Sequence, residues 1–353
     1  MATHQVVMNT EPGLKPLQAL NRLVDLTTGY CAAQAFLAAC KLDLFEEMSE
    51  GATTAEELAR RVNIHPVGCR RLLMALAKLG LVERNGDLYG NSELGQYCSS
   101  QSAVNLGALS GRLEPFYHMF EYLPDALREY SPRWQQALGT SQEAVFEALY
   151  EDPVRLRRFG QLMNALSTVQ GQLIAEHFDF APYDCLMDVA GGLGGQAVQI
   201  GLRQTHLRGV ITDLPPMCVM ARKYIETSGL HGRFTAIPAD LFRGPYPPGA
   251  DVILLGHVLH DWNDQNCRKI LRNCFDALPP DGVLLISETV LGPDFSGSTL
   301  AHMKDLTMMV CCEPGARERT EAEYRCLLEE TGFEITQIIR LDAPRDLIIA
   351  RRS

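Results

Sequence analysis

Residues Asp251–Asp264 read DVILLGHVLHDWND and decide the fold class. The first part is an apolar run, from which we predict a buried strand over 251–259. The second part is polar and places His260 and Asp261 directly after that strand. Open α/β sheets bind their ligands at the carboxyl ends of the strands. The stretch therefore predicts a sheet whose carboxyl edge carries a histidine and an acid.

The sequence around this stretch alternates between strand and helix patterns. Strands are predicted at 185–190, 210–214, 234–239, 251–259, 282–290, 334–341 and 346–350. Helices are predicted between most of them, at 196–204, 217–227, 265–278, 300–310 and 321–331. This alternation is typical of an α/β fold with a doubly wound, mostly parallel sheet of seven strands. Only a short turn separates the last two strands, so we expect them to form an antiparallel hairpin at one edge.

The first hundred residues follow a different pattern. A helical run from 17 to 48 is apolar on most of its faces, which suits a helix buried on several sides or one that self-associates. Residues 55–62 and 66–79 predict two helices joined by a turn. Residues 81–90 predict a two-strand ribbon on an Asn-Gly turn. This order predicts an all-helical winged-helix domain with a ribbon as its wing.

We divide the chain into three parts on this basis. Residues 1–100 form the winged-helix domain, which we expect to dimerise. Residues 101–180 form a helical linker, rich in aromatic side chains that we expect to wall a substrate pocket. Residues 181–353 form the α/β domain.

Charge limits the classes of ligand. The chain has 32 basic and 43 acidic residues, and its net charge of −11 argues against nucleic acid as the main ligand. A winged helix can nevertheless bind DNA, and its candidate phosphate contacts are Arg60, Arg61, Arg70, Arg71 and Lys78. The alternative is a packing module kept for dimerisation, and this alternative agrees better with the excess of acid.

Cysteine usage and targeting signals predict the compartment. The chain has 11 Cys and no CxxC pair, so we expect reduced thiols and no zinc-type metal site. The N-terminal residues lack the pattern of a signal peptide. We also see no apolar run near the roughly 20 residues of a membrane span. We therefore expect a cytoplasmic protein with no membrane partner.

Three successive strand ends predict a nucleoside site. The first α/β strand runs into AGGLG (190–194), a turn that lets a ligand approach the backbone. Its G-G-x-G spacing is that of neither a dinucleotide turn nor a phosphate loop. Asp213 ends the second strand, where a carboxylate accepts ribose hydroxyls, and Asp240 follows the third, where it suits an adenine amine. The inferred ligand is an adenine nucleoside without a polyphosphate.

His260 has two interpretations from the residues alone. A histidine with an ordinary pKa of about 6.5 can act as a general base that removes a proton from a hydroxyl. It can equally be a capping residue for the helix that follows. The surrounding motifs decide between the two.

Those motifs occur in a fixed order: DVAGGLGG (188–195), TDLP (212–215), PADLF (238–242), HVLHDWND (257–264), PPDGVLLISE (279–288) and PGARERT (314–320). Together they resemble the S-adenosylmethionine-dependent small-molecule O-methyltransferases. That family includes plant caffeic acid enzymes, animal acetylserotonin enzymes and bacterial antibiotic-tailoring enzymes. The resemblance covers nearly the whole chain. It implies S-adenosylmethionine as cofactor, no metal, a small aromatic acceptor and an intertwined homodimer formed by the N-terminal domain.

The resemblance also implies roles for single positions. His260 matches the general base, Glu288 and Glu318 match the carboxylates that orient it, and Asp261 matches an acid beside the substrate. The implied cofactor contacts are Ala190, Gly191, Gly192, Gly194, Asp213, Leu214, Asp240, Leu241, Gly256 and Ser167, the last toward the carboxylate of the methionine part. The implied acceptor pocket contains Met163, His257, Met309 and Glu313.

The chain departs from the family pattern at three positions. Ala190 replaces the first glycine of the DxGGG turn and leaves less room there. Many relatives have Lys or Arg just before the HDW motif, where the local residues of this chain are Gly256 and His257, and we expect His257 to face away from His260 unless the chain turns. Glu313 replaces a neutral residue, and we expect its carboxylate to bind an amine or a second hydroxyl of the acceptor.

Three other functions stay open. The same base can assist methylation of carbon or nitrogen on a phenolic or amino-acid-like acceptor. The winged helix can belong to a DNA-binding regulator that senses a nucleoside. The fold can also support a cofactor-dependent reaction without methyl transfer, which the intact base disfavours.

Overall fold

The computed structural model describes residues 15–102, 105–141, 144, 148, 150–341 and 343–353. The chain divides into two compact units, residues 1–102 and 103–353. The first residues of the predicted N-terminal domain, 1–14, lie outside the described residues. The predicted linker 101–180 falls almost wholly within the second unit, so the division into three parts remains an interpretation.

The first unit has the predicted order of helices and strands. Its helices are α1 (Pro16–Lys41), α2 (Leu44–Glu47), α3 (Ala55–Arg61), α4 (Pro66–Lys78) and α5 (Glu93–Gln96). Its strands are β1 (Thr53–Thr54), β2 (Val82–Asn85) and β3 (Leu88–Asn91), paired antiparallel in the order β1-β3-β2. The wing therefore has three strands where the sequence predicted two, and the domain is not all-helical. Local chemistry sets the helix starts, since the Thr54 hydroxyl accepts a hydrogen bond from the Glu57 amide at the start of α3.

Helix α1 exposes much of its apolar surface within this chain. The exposed large side chains are Leu17, Leu20, Leu23, Val24, Leu26 and Tyr30. By length and composition α1 is the one helix among the described residues that could cross a membrane, with a mean hydropathy of 1.2 over its most apolar window. The expectation that no apolar run approaches that length is therefore wrong. A surface of this kind also suits contact with another protein chain.

The basic residues of the winged helix are largely paired with acids. Arg60 and Arg61 both form ion pairs with Glu57, and Arg70 forms one with Glu56. Each pair is exposed and contributes little to stability. The pairs do reduce the positive field that a DNA phosphate would meet at this helix pair.

The second unit is built on the predicted seven-stranded sheet. Its strands are β4 (Cys185–Val189), β5 (Arg208–Asp213), β6 (Phe234–Pro238), β7 (Val252–Gly256), β8 (Val283–Glu288), β11 (Phe333–Ile339) and β12 (Asp346–Arg352). The strand order is β11-β12-β8-β7-β4-β5-β6, and β4 to β8 are parallel. The hairpin of β11 and β12 is antiparallel and lies at one edge, as predicted.

The second unit also contains helices, several of which cover the two faces of the sheet. They are α6 (Ser110–Glu121), α7 (Leu123–Glu129), α8 (Trp134–Leu138), α9 (Pro153–His177), α10 (Gly195–Arg203), α11 (Pro215–Thr227), α12 (Asp264–Ala277), α13 (Thr299–Cys311) and α14 (Glu321–Glu329). Alternate residues of one strand enter opposite cores: Leu254 packs with α9 and α10, whereas Leu255 packs with α12 and α14. Strands buried on both faces are why the sequence shows near-continuous apolar runs here.

The stretch that decided the fold class ends differently from the prediction. Strand β7 stops at Gly256, three residues earlier than expected. His257 then adopts a left-handed conformation with φ +65°, which turns the chain. A 3₁₀ turn, Leu259–Asp261, follows and carries His260. His260 therefore lies on a turn beyond the strand, where its ring is free to point along the carboxyl edge of the sheet.

A small second sheet brings a distant segment to the same edge. Strands β9 (Val290–Leu291) and β10 (Arg319–Thr320) pair in parallel. Strand β9 begins two residues after Glu288, the last residue of β8. The pairing therefore places Glu318, the residue before β10, beside the end of β8.

Candidate active site

His260 is fully buried and held by a carboxylate. Its Nδ1 lies 2.9 Å from Oε1 of Glu318, and both side chains are at most 1 % exposed. Because Glu318 accepts this hydrogen bond, Nδ1 carries the proton and Nε2 is the basic atom of the neutral ring. The structure therefore supports the predicted pairing of His260 with an orienting acid.

Glu288 acts mainly on the turn that carries the histidine. Its Oε1 accepts hydrogen bonds from the amides of Val258 and Leu259, at 2.8 and 2.9 Å. Its Oε2 lies 3.9 Å from Nδ1 of His260 and has no hydrogen-bond partner among the described residues. Glu288 therefore fixes the backbone before His260 and adds a negative charge beside the ring.

A buried arginine fixes the other side of the same turn, and the sequence reasoning missed it. Arg319 donates to the carbonyl oxygens of Leu259 and Trp262, at 2.8 and 2.7 Å. It also pairs with Asp264 at 2.9 Å. Arg319 stands next to Glu318 in the motif PGARERT, so its place in the motif was the available signal.

The charges around His260 raise its pKa to about 9. Burial alone would lower the pKa, but the negative charges of Glu288, Asp261 and Glu318 outweigh burial. Burial alone would likewise raise the pKa of Glu318, yet the hydrogen bond and charge of His260 keep it below the usual value. Charged carboxylates thus stabilise the imidazolium form of His260.

The side chains of His260, Glu288 and Glu318 offer ligand atoms within 4.8 Å of one another, close enough for a metal ion to bridge. The ammonium group of Lys304 lies 3.2 Å from Oε1 of Glu318. The positive charges of Lys304 and of a protonated His260 balance the negative charges of Glu288 and Glu318. We therefore interpret the cluster as an acid–base centre.

The second ring nitrogen of His260 is available for chemistry. Nε2 has no hydrogen-bond partner among the described residues, and Oδ1 of Asp261 lies 3.4 Å from it. Sγ of Cys312 lies 3.5 Å from the same Oδ1. The ring of His257 packs against the ring of His260 with centroids 4.1 Å apart. The chain turn at His257 thus brings the two histidines together, the case that the sequence left open.

The glycine turn after β4 is held to Asp213. The amide of Gly192 donates to Oδ2 of Asp213 at 2.9 Å, and the amide of Leu214 donates to Oδ1 at 2.7 Å. Each oxygen retains a lone pair, so the carboxylate can still accept two ribose hydroxyls. Ala190 has φ +55° in this turn, which is the left-handed conformation that favours glycine.

Asp188 lies beneath the turn and was not among the predicted site residues. A Cβ on Gly191 would lie 2.5 Å from the Asp188 carboxyl carbon, so only glycine fits there. Burial raises the pKa of Asp188 to about 7. The acid of the DVAGGLGG motif therefore supports the turn from below.

The third strand end carries a carboxylate beside apolar side chains. Oδ1 of Asp240 accepts a hydrogen bond from the Phe242 amide at 2.8 Å, which leaves Oδ2 toward solvent and Arg243. Leu241 and Phe242 are half-buried, and Phe242 packs edge-on against Trp262 at 4.7 Å. A carboxylate beside apolar side chains is what the sequence predicted here.

Helix α9 contributes polar side chains to the start of α10. A Cβ on Gly195 would lie 2.6 Å from Oδ1 of Asn164 and 2.8 Å from Cβ of Ser167. A Cβ on Gly256 would lie 2.4 Å from Oε1 of Gln196. Ser167 and Gly256 therefore both lie at the start of α10, although they are distant in sequence.

The predicted acceptor residues are spread over several elements. Met309 packs in an apolar cluster with Met119, Met308 and Cys311, and Met163 lies one turn before Ser167 in α9. Glu313 instead holds the start of α12, because its carboxylate accepts from the Asn263 amide at 2.7 Å and from Asn266 Nδ2 at 2.9 and 3.0 Å. Binding an acceptor amine would require Glu313 to give up these bonds.

These features define a class of protein before any comparison. Strand ends with Asp213 and Asp240 suit an adenine nucleoside, and polar side chains lie at the start of α10. A buried histidine with a free Nε2 lies at the next strand end. The arrangement suits a nucleoside cofactor at one part of the sheet edge and acid–base chemistry at another.

Comparison with known proteins gives the family. Residues 120–334 match the O-methyltransferase domain, and residues 24–101 match the O-methyltransferase dimerisation domain. The chain belongs to this family of O-methyltransferases.

Two curated relatives and one solved structure match over nearly their whole length. A 3-hydroxy-5-methyl-1-naphthoate 3-O-methyltransferase of Streptomyces sahachiroi is 31 % identical over 330 residues, covering 91 % of this chain and 92 % of the relative. An N,N-dimethyltransferase of Streptomyces rimosus is 32 % identical over 344 residues, covering 95 % and 96 %. The crystal structure of human N-acetylserotonin methyltransferase with S-adenosylmethionine has a TM-score of 0.88 and 27 % identity, covering 97 % of this chain and 99 % of that chain.

Proposed function

We propose that this protein transfers the methyl group of S-adenosylmethionine to a hydroxyl of a small aromatic acceptor in specialised metabolism. The observation that carries the proposal is the His260 ring, which is buried, held through Nδ1 by Glu318 and unbonded at Nε2. A hydroxyl placed at Nε2 would lose its proton to the ring as its oxygen attacks. The bound cofactor supplies a methyl group already activated on a sulfonium, so the main task of the chain is alignment.

Each group around the base has a task in this proposal. Glu318 keeps the proton on Nδ1 and stabilises the imidazolium that forms. Glu288 and Arg319 hold the backbone turn that carries His260, so the His260 ring would keep its position from one turnover to the next. Asp261 lies beside Nε2 and would accept a hydrogen bond from the acceptor or from the protonated ring.

We assign cofactor contacts to the strand ends. Asp213 would hold the ribose, and Asp240 with Leu241 would hold the adenine. Ala190, Gly191, Gly192 and Gly194 would let the methionine part approach the backbone, with Leu214, Gly256 and Ser167 around it. Met163, His257 and Met309 would line the acceptor pocket, and the aromatic side chains of α6 and α8 would supply flat apolar walls.

The partner is proposed to be a second copy of this chain. The match to a dimerisation domain and the exposed apolar face of α1 support this. Pairing of the helix-turn-helix arginines with local acids supports a function without nucleic acid. We place the homodimer in the cytoplasm.

The test is transfer of label. The protein would be incubated with methyl-labelled S-adenosylmethionine and a panel of phenols, catechols, aromatic amines and aromatic amino acids. We expect label on a phenolic oxygen, assigned by NMR of the product. Label only on nitrogen or carbon would contradict the O-methyl assignment while keeping the class of enzyme.

One observation favours N-methylation as the second candidate. The relative from Streptomyces rimosus is an N,N-dimethyltransferase, and it is as similar to this chain as the naphthoate enzyme. A protonated amine also needs a base before it can attack, so His260 would serve both reactions.

A further inference from the structure

Gln196 is a buried polar side chain that the fold leaves unsatisfied. It is the second residue of α10 and is 3 % exposed. Neither Nε2 nor Oε1 has a hydrogen-bond partner among the described residues. A buried amide without partners destabilises a protein, so such a group needs an explanation.

The amide lies between the start of a helix and the end of a strand. A Cβ on Gly256 would lie 2.4 Å from Oε1 and 2.5 Å from Nε2 of Gln196, so the amide packs directly on the Gly256 backbone. Gly195, the preceding residue, packs against Asn164 and Ser167. The glycine turn 190–194 ends where α10 begins. Gln196 thus sits where the turn, α9 and β7 converge.

Two further unsatisfied groups occupy the same layer. Ser287 is the register partner of Gly256 across β7 and β8, so its side chain lies on the face of the sheet that Gln196 covers. The Ser287 hydroxyl has no hydrogen-bond partner among the described residues. Oδ1 of Asn164 is unsatisfied as well. Below them this face is apolar, with Leu186, Leu254 and Leu285. Polar atoms are therefore concentrated at the carboxyl edge, where a ligand binds in such sheets.

We propose that the Gln196 amide binds the aminoacyl end of S-adenosylmethionine. The inference rests on the proposed function and adds a contact residue to it. An amide offers one acceptor and two donors, and the aminoacyl end carries an ammonium group and a carboxylate. Oε1 accepts from the ammonium group and Nε2 donates to the carboxylate, while the positive end of the α10 dipole favours the same carboxylate.

Hydrogen bonds to charged groups in a buried site are stronger than neutral ones, so the loss should be large. We expect Gln196→Met, which keeps the length and removes both polar atoms, to weaken binding of S-adenosylhomocysteine about 10- to 100-fold. Binding of 5′-methylthioadenosine, which has the nucleoside and the sulfur but no aminoacyl end, should not change. Titration calorimetry on the full-length protein measures both affinities without turnover.

Thermal unfolding gives a second readout with the opposite sign. Without any ligand, Gln196→Met should melt about 2–4 °C higher than the original protein, because an unsatisfied amide is replaced by an apolar group. The matched control is Gln170→Met in α9. Gln170 is equally buried, but its Nε2 donates to the Arg345 carbonyl oxygen at 3.4 Å. The control should lower the melting temperature and leave both affinities unchanged.

The outcomes separate the proposal from its rivals. If the Gln196 variant binds S-adenosylhomocysteine as tightly as the original protein, the amide serves a buried water and the inference is wrong. An equal loss for both ligands also contradicts it, since the change then damages the nucleoside site. An original protein that binds neither ligand overturns the proposed function, and with it this inference.

Discussion

The His260 cluster and the glycine turn lie at the ends of neighbouring strands, β7 and β4, yet they satisfy their buried polar groups differently. At the first, His260 has Glu318 at 2.9 Å and Glu288 at 3.9 Å, and Lys304 balances the charge. At the second, burial raises the pKa of Asp188 to about 7, and the amide of Gln196 has no partner among the described residues. Ala190 is also held at φ +55°.

The difference lies in how charge is balanced, since unsatisfied atoms occur in both places and include Nε2 of His260 and Oε2 of Glu288. Opposite charges in the His260 cluster are supplied by the chain, so the ring of His260 is oriented before any substrate binds. The glycine turn holds unsatisfied groups and a strained backbone, features that are found where a ligand is bound. Four changes test this contrast.

Removing the base should have the largest effect. In His260→Gln the ring that accepts the proton is lost, so we expect methyl transfer to fall about 10²- to 10⁴-fold. The glycine turn is untouched, so the affinity for S-adenosylhomocysteine should stay the same. Steady-state rates with a methyl-accepting phenol and calorimetry measure the two quantities. The control is His177→Gln at the exposed end of α9, which should have normal rates. A near-normal rate in His260→Gln would remove the base assignment.

Activity should rise with pH, because the base must be neutral to accept a proton. With the pKa of His260 raised to about 9, the neutral fraction grows about tenfold per pH unit well below that value and reaches about one half at it. The kcat/KM for the acceptor should therefore rise about 50-fold between pH 7 and 9 and level off above about pH 10. Glu288→Gln removes a negative charge that raises the pKa of His260, so the midpoint of the pH profile of this variant should lie at lower pH. A profile that is flat from pH 7 to 9 contradicts this.

The buried acid at the glycine turn should reduce stability as pH rises. The pKa of Asp188 is about 7 in the folded protein against an ordinary 3.8, so the unfolded chain loses this proton first. Stability contributed by this group is therefore lost between about pH 4 and 7. Asparagine does not titrate, so the Asp188→Asn variant should not lose this stability as the pH rises. We expect the variant to be about 1–3 kcal/mol more stable than the original protein at pH 8, with little difference at pH 4. Urea unfolding of the ligand-free protein across this range tests it, and a gain independent of pH would contradict it.

Relieving the backbone strain should have the smallest effect. Ala190→Gly removes a side chain held at a positive φ, and we expect a gain of about 1 kcal/mol in the free energy of unfolding. The control Ala197→Gly places the same change in the first turn of α10, where loss of a buried methyl group and of helix propensity should destabilise by about 1 kcal/mol. Chemical unfolding with and without S-adenosylhomocysteine measures both. Destabilisation by Ala190→Gly would show that the turn is not strained.

Some of these features were predictable from residue order. The seven strands and the winged-helix order follow from local apolar periods and turn residues, which depend on near neighbours only. The positions of Asp213 and Asp240 near strand ends were predictable, because Asp213 is the last residue of β5 and Asp240 comes two residues after β6. The end of β7 was misjudged because the apolar run continues through Val258 and Leu259, and only the positive φ of His257 ends the strand.

By itself, the sequence determined the fold class and the family, since each depends on periodicity or on motifs in a fixed order, and it predicted His260 as the base. The tertiary structure decided which groups meet. Glu318 reaches His260 across 58 residues because β10 pairs with β9, and Glu313 is held by the start of α12. Packing between distant segments decided the rest: it brings the carboxylates beside His260 that raise its pKa, it buries Asp188 and so raises the pKa of that acid, and it keeps water from the unsatisfied amide of Gln196.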